Sequence, residues 1–158
     1  MIVGAGPNLG VAIARRFGRE GFSVGLVSRN QEKLDGLAGE LEADGITAAG
    51  AAADIRDSDG LAAAKMLDAG HGTILFTTGG AAINPYPARA GVGISFAGEV
   101  AYARMLHDAL ADTGVHVAHT AIGGSIAPGG DHEPDDVAEL LWRHHAEPGE
   151  FQTRLGIA

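Results

Sequence analysis

The segment Met1–Phe17, MIVGAGPNLGVAIARRF, limits what this chain can fold into more than any other stretch. A short apolar run, Met1-Ile2-Val3, leads into a turn carrying Gly4, Gly6 and Gly10. A helical pattern follows, with Val11, Ile13, Ala14 and Phe17 as its apolar positions. Strand, glycine turn and helix, in that order, open a dinucleotide-binding unit. Gly4 permits the tight turn, Gly6 lets backbone approach a pyrophosphate, and Gly10 lets the helix pack close to the strand. The N–H groups of the helix start and the positive end of its dipole then face the phosphates. The candidate cofactor contacts in this turn are Gly4, Gly6, Asn8, Leu9 and Gly10. The spacing is G-x-G-x-x-x-G rather than the commoner G-x-G-x-x-G, and a glycine triplet alone also fits an ordinary loop. The strand before and the helix after favour the dinucleotide reading.

The rest of the chain continues the alternation. Phe22–Val27, FSVGLV, reads as a second strand, and Asn30 is placed to cap the helix after it. Leu34, Leu37, Ala38 and Leu41 recur at helical spacing, and Gly45 is the stop. Ile46–Ala53, ITAAGAAA, is poor in strand formers and is assigned as the third strand from its position. A short helix over Ser58–Asp68 is stopped by Gly70. Thr73–Thr78, TILFTT, is the apolar, β-branched run expected of a strand buried on both faces. A loop spans Gly79–Gly93, and a long helix over Ile94–Ala111 carries one apolar stripe, Phe96, Val100, Ala103, Leu106 and Leu110. Val115–Ile122 is another buried strand, ending in Gly123-Gly124. The loop Ser125–Glu133 precedes a helix from Pro134 to about His145, and Phe151–Ile157 reads as an edge strand. This order predicts one α/β domain over residues 1–158, Rossmann-like and doubly wound, with a mostly parallel sheet and helices on both faces. Met1 stands at the start of the first strand itself, which implies a late start or a fragment.

Composition excludes several function classes. The net charge is -9 and no basic cluster exceeds Arg15-Arg16, which argues against nucleic acid and anionic membranes as partners. There is no Cys, so disulfides, thiolate catalysis and Cys-zinc sites are out. No apolar run approaches a membrane span and no signal peptide is visible, so the expected location is cytoplasmic. Of the seven His, His116 and His119 fall on opposite faces of one strand, and no His-x-x-x-His occurs, so no metal site is expected. The 25 glycines, about twice the usual share, fit many strand-to-helix turns.

Together the glycine turn and the segment His107–Gly124, HDALADTGVHVAHTAIGG, resemble the short-chain dehydrogenase/reductase family, as an atypical member. The family's glycine positions fall on Gly4, Asn8 and Gly10, with Gly6 compensating for Asn8. The resemblance implies that Asp54 binds adenine and Ile55 flanks it. It puts Gly123-Gly124 at the family's Pro-Gly turn by the nicotinamide, and Ile126 where backbone meets the carboxamide. Two departures stand out. The family's catalytic Tyr-x-x-x-Lys cannot be formed: the two Tyr are Tyr86 and Tyr102, the only Lys are Lys33 and Lys65, and the family's Tyr and Lys places hold Val92 and Phe96. The family's Ser place falls on Gly79 or Thr78. One strand and one helix are also missing before Thr73–Thr78. That gap predicts that Met1–Gly4 and Thr73–Thr78 either pair directly, the favoured outcome, or stay apart. It also predicts an under-covered long helix, with self-association or low stability.

Arg29 is the most informative single residue. NAD-specific sites carry an acid at the end of the second strand. Here Ser28-Arg29-Asn30 offers a hydroxyl and a guanidinium, suited to a 2′-phosphate. The expectation is therefore NADP, with NAD as second choice, and Gly4, Gly6, Asn8, Leu9, Gly10, Ser28, Arg29, Asn30, Asp54, Ile55, Gly124 and Ile126 as cofactor contacts. Hydride would pass to or from a small carbonyl or alcohol. Thr78 and Tyr86 are the catalytic candidates, and the proton donor stays open among water, a Thr hydroxyl and Tyr86. A pseudoenzyme that binds dinucleotide as a sensor or partner subunit is the alternative, and a truncated product that binds nothing well is a third. A homo-oligomer is expected.

Overall fold

Parallel strands need a crossover between them, and helices supply it throughout this chain. The computed structural model describes residues 1–52 and 66–157. Packing divides the chain into two compact units, Met1–Asp59 with Ser125–Trp142 and Gly60–Gly124 with Arg143–Ala158. The first unit contains β1 (Ile2–Val3), α1 (Leu9–Gly18), β2 (Val24–Ser28), α2 (Gln31–Ala43) and β3 (Ala48–Ala52). The second contains β4 (Gly72–Gly79), α3 (Ala90–Leu110), β5 (Val115–Ile122) and β6 (Gln152–Leu155). The helix α4 (Pro134–Ala146) gives its residues through Trp142 to the first unit and its last turn to the second. All described pairings are parallel, in the orders β1-β2-β3 and β4-β5-β6. Each order is that of one half of a doubly wound α/β fold, so the fold class read from the sequence holds.

In the first unit, α1 and α2 pack on the sheet through Val11, Ala14, Leu34, Ala38 and Leu41, against Val24, Leu26 and Ala48. Asn30 caps α2 as expected, its side chain accepting from the Lys33 N–H at 3.0 Å. Gly45 ends that helix at φ 78°, and the Ile46 N–H returns to the Leu41 carbonyl at 3.0 Å, a Schellman closure. The shortage of strand formers in β3 has a steric reason. A Cβ on Gly50 would stand 2.6 Å from Leu34 Cβ, so α2 lies too close over β3 for a larger residue. Gln31 ties the two elements further, accepting from Ala52 N–H at 2.8 Å and donating to the Gly50 carbonyl at 3.2 Å. The expected third strand, Ile46–Ala53, is thus present as Ala48–Ala52.

In the second unit, the sheet has helices on both faces. Leu106 and Leu110 of α3 cover Ile74, Phe76, Val115 and Val117. On the opposite face, His145 in the last turn of α4 hydrogen-bonds Thr73 Oγ1 at 2.9 Å. One expectation needs correction. Within the second unit β4 pairs only with β5 among the described strands, and Gly72–Thr77 are half-buried rather than buried on both faces; Thr78 alone is buried. The expected helix Ser58–Asp68 lies outside the described residues except its end, where 66–69 is helical and Gly70 stops it at φ 71°.

Candidate dinucleotide site

The glycine turn has the geometry its sequence requires. Gly4 sits at φ 75°, a region L side chains rarely adopt. The N–H groups of Gly4 and Ala5 both bond the Val27 carbonyl, at 2.8 and 3.1 Å. Those two bonds fix the turn beside the end of β2, two residues before Arg29. A Cβ on Gly10 would stand 3.1 Å from Ala5 Cα, so helix and turn touch backbone to backbone. A Cβ on Gly6 would meet nothing within 4 Å, which leaves open space over the turn. Asn8 is the N-cap of α1, yet its side chain makes no cap bond. The first capping donors pair only from Val11 onward, whose N–H reaches the Gly6 carbonyl at 3.2 Å. Among the described residues the N–H groups of Leu9 and Gly10 bond no backbone carbonyl. Free donors, an open face and a helix dipole are the donor set an anionic pyrophosphate needs, so these residues fit one.

At the neighbouring corner, Ser28 is half-buried and Arg29 exposed. Among the described residues no ion pair involves Arg29. Arg15 is committed to Glu40 and Asp44 at 2.6 and 2.7 Å, and Arg16 to Glu20 at 2.7 Å and to Glu139. Arg16 also covers the Trp142 ring at 4.4 Å. Asn30 is spent on its cap. Asp54 and Ile55 lie outside the described residues. In the loop after β5, Ser125 donates its N–H and its hydroxyl to Asp131 Oδ2, each at 2.8 Å. Those bonds hold the Asp131 carboxyl below the usual carboxylate range. His132 N–H bonds the Ser125 carbonyl at 3.0 Å and Ala127 N–H the His132 carbonyl at 3.3 Å. That parallel bridge pairs Ile126 with His132 while using neither the N–H nor the carbonyl of Ile126 itself. The backbone of Ile126 is therefore presented by a tied loop.

In the second unit, Gly124 takes φ 90°, and a Cβ on Gly123 would collide with Gly156 and Ile157 beyond β6. Thr78, one residue from the end of β4, is buried with its Oγ1 2.8 Å from His119 Nε2. Sequence reasoning examined His119 only as a metal ligand and missed this partner. The signal was the register: Thr78 pairs Ala121 and Phe76 pairs His119, which turns both side chains to one face. Tyr86 is 47% exposed at the start of a 3-10 turn over Pro87–Arg89 and makes no hydrogen bond to Thr78. Phe96 fills the space beside Gly79, 3.0 Å from where a Cβ would lie. Among the described residues no cluster of His, Asp and Glu is built to hold a metal, and no helix is long and apolar enough to cross a membrane.

Comparison with known proteins agrees with this geometry. The short chain dehydrogenase family model matches residues 1–65. No curated protein matches the chain at a significant level. Solved structures match over the whole length. A short-chain dehydrogenase from Rhodopseudomonas palustris superposes with a TM-score of 0.80 at 23% identity, covering 99% of this chain and 96% of its own. A metagenomic short-chain oxidoreductase in complex with NADP gives 0.80 at 20%, covering 99% and 96%. A short-chain dehydrogenase from Sphingobium yanoikuyae in complex with NADPH gives 0.79 at 19%, covering 97% and 85%. The chain thus has the fold of the short-chain dehydrogenases. It resembles that family in its glycine turn and departs from it in lacking the Tyr-x-x-x-Lys pair.

Proposed function

We propose that this chain is an NADP-leaning oxidoreductase of the short-chain dehydrogenase/reductase type, acting on a small carbonyl or alcohol. The observation that carries the reading is the pair of bonds from Gly4 and Ala5 N–H to the Val27 carbonyl, which sets a phosphate-ready turn beside Arg29. Gly4, Gly6, Asn8, Leu9 and Gly10 would hold the pyrophosphate, and Ser28 and Arg29 the 2′-phosphate. Ile126 would offer its free backbone groups to the carboxamide, and Gly124 would shape the turn near it. Asp54 and Ile55 are proposed for adenine on the family resemblance. The cofactor, when bound, supplies a hydride. What the chain itself must supply is a proton, and Thr78 and Tyr86 remain the candidates.

A second reading has its own support. With Val92 and Phe96 at the family's Tyr and Lys places, a dinucleotide-binding pseudoenzyme, serving as sensor or partner subunit, is the alternative. NADPH oxidation with a panel of aldehydes and ketones separates the two. Turnover supports the oxidoreductase, and tight NADPH binding without turnover supports the pseudoenzyme. We further propose a homo-oligomer, supported by the exposed apolar residues of α3. Ile94, Tyr102 and Met105 are 76, 57 and 68% exposed.

A further inference from the structure

A threonine hydroxyl alone is a weak proton donor, because an efficient acid has a pKa near the working pH. Thr78 is not alone. Its Oγ1 lies 2.8 Å from His119 Nε2, and the two residues are 4 and 1% exposed. The other ring nitrogen, Nδ1, lies 3.3 Å from Gln152 Nε2 on β6, and the Phe151 ring stacks on the imidazole at 6.2 Å and 24°. The imidazole is therefore held by β4, by β6 and by an aromatic face. Thr78 stands at the C-terminal end of its strand, the end at which open α/β sheets bind ligands. Resting on the oxidoreductase reading above, we propose that His119 supplies and positions the proton of Thr78, so that the pair replaces the absent Tyr-x-x-x-Lys.

In carbonyl reduction the Thr78 hydroxyl gives its proton to the substrate oxygen while Oγ1 takes the Nε2 proton of the His119 imidazolium. A dihydronicotinamide, if bound, would supply the hydride, so that the substrate would gain one hydride and one proton. His119 is left neutral. Gln152 suits both states. Its amide oxygen, after a half-turn, accepts from the Nδ1–H that the ring carries before and after the transfer, and its amide N–H donates to Nδ1 in the resting Nε2–H tautomer. The groups facing the imidazole are Thr78 from β4 and Gln152 from β6. Arg104 and His107 of α3 stand across Phe151, at 3.8 and 5.2 Å from its ring. Burial pushes His119 below the ordinary histidine value, and Glu99, on the same side of α3 as Phe96 and Ala103, is held above the usual carboxylate range, also by burial. Gln152 also lines a groove of about 510 Å³ with Arg104, His107, Glu150 and Arg154. The relay therefore works best on the acid side of neutrality, where the imidazole is charged.

The test combines NADPH-dependent aldehyde reduction between about pH 5 and 8 with nitrogen NMR titration of His119 and NADPH titration by fluorescence. The expected result is a rate that falls as pH rises, with an apparent pKa equal to that of His119 by NMR. Thr78→Val and His119→Gln should lose roughly 10²–10⁴-fold in rate with NADPH affinity unchanged, and Thr78→Ser should keep the wild-type profile. A purely structural hydrogen bond would leave the pH profile unmoved. An unchanged profile in either damaging variant overturns the proposal, and so does a wild type that binds NADPH and reduces nothing. Should those variants fail to fold, the wild-type match of kinetic and NMR pKa decides. Failure to bind NADPH at all would overturn the oxidoreductase reading and the relay with it.

Discussion

At the scale of single residues, glycines carry the most legible information because backbone geometry leaves no substitute. Gly4 is forced by its φ of 75° and Gly10 by its approach to Ala5. Gly10→Val is expected to destabilise the chain by about 1–3 kcal/mol, the usual cost of overpacking, and to weaken dinucleotide binding with it. A urea midpoint and a binding titration check both, and retained stability with retained binding would contradict the close-packing role. In the proposed site Arg29 would act through charge. A hydrogen bond to a charged group is worth about 1.5–3 kcal/mol, roughly tenfold or more in affinity. Arg29→Asp should therefore move the preference from NADPH to NADH, and an unchanged ratio of the two affinities would refute the assignment. The Thr78–His119 pair was not legible. Its members are 41 residues apart and meet only through strand register, which no local pattern announces.

At the scale of elements, periodicity found α1, α2 and α3, although α3 begins at Ala90 rather than Ile94 and two 3-10 turns, Gly80–Ala82 and Pro87–Arg89, stand where a loop was expected; strand β5 has the span its run of apolar residues implies. The third strand was legible by position alone. Its Ala-Gly-Ala composition defies strand propensity because α2 presses on it at Gly50. Gly50→Val should cost about 1–3 kcal/mol through Leu34, read as a lowered urea midpoint, and an unchanged midpoint would show that α2 yields easily. The burial of β4 was overestimated, since an apolar, β-branched run does not say whether a strand is central or an edge. The helix α3 has a bare face, with Ile94, Tyr102 and Met105 exposed. Its sequence is apolar nearly all round, so helical spacing could locate a stripe but not say which side a neighbour covers.

At the scale of the molecule, buried histidines couple stability to pH. His116, His119 and His144 all lie below the ordinary value of 6.5, first through burial, and His116 further through His107, His144 and His145. The Nε2 atoms of His116 and His144 are buried without a partner. Because the folded values are the lower ones, the unfolded chain binds more protons below about pH 6.5. Stability is complete above that pH and is lost as pH falls through the depressed folded values. Urea midpoints should drop across that window, less so in His116→Gln, and a flat profile would contradict the burial of neutral imidazoles. The bare face of α3 predicts self-association by wild type and its loss in Ile94→Lys, read from solution mass; a wild-type monomer would refute it. The central claim is that the glycine turn and the Arg29 corner together hold NADP. Titration of the purified chain with NADPH and with NADH, followed by cofactor fluorescence, tests it most directly. The account predicts saturable binding of NADPH, roughly tenfold tighter than NADH. Binding of neither dinucleotide at about 1 mM, or an NADH preference, would contradict it.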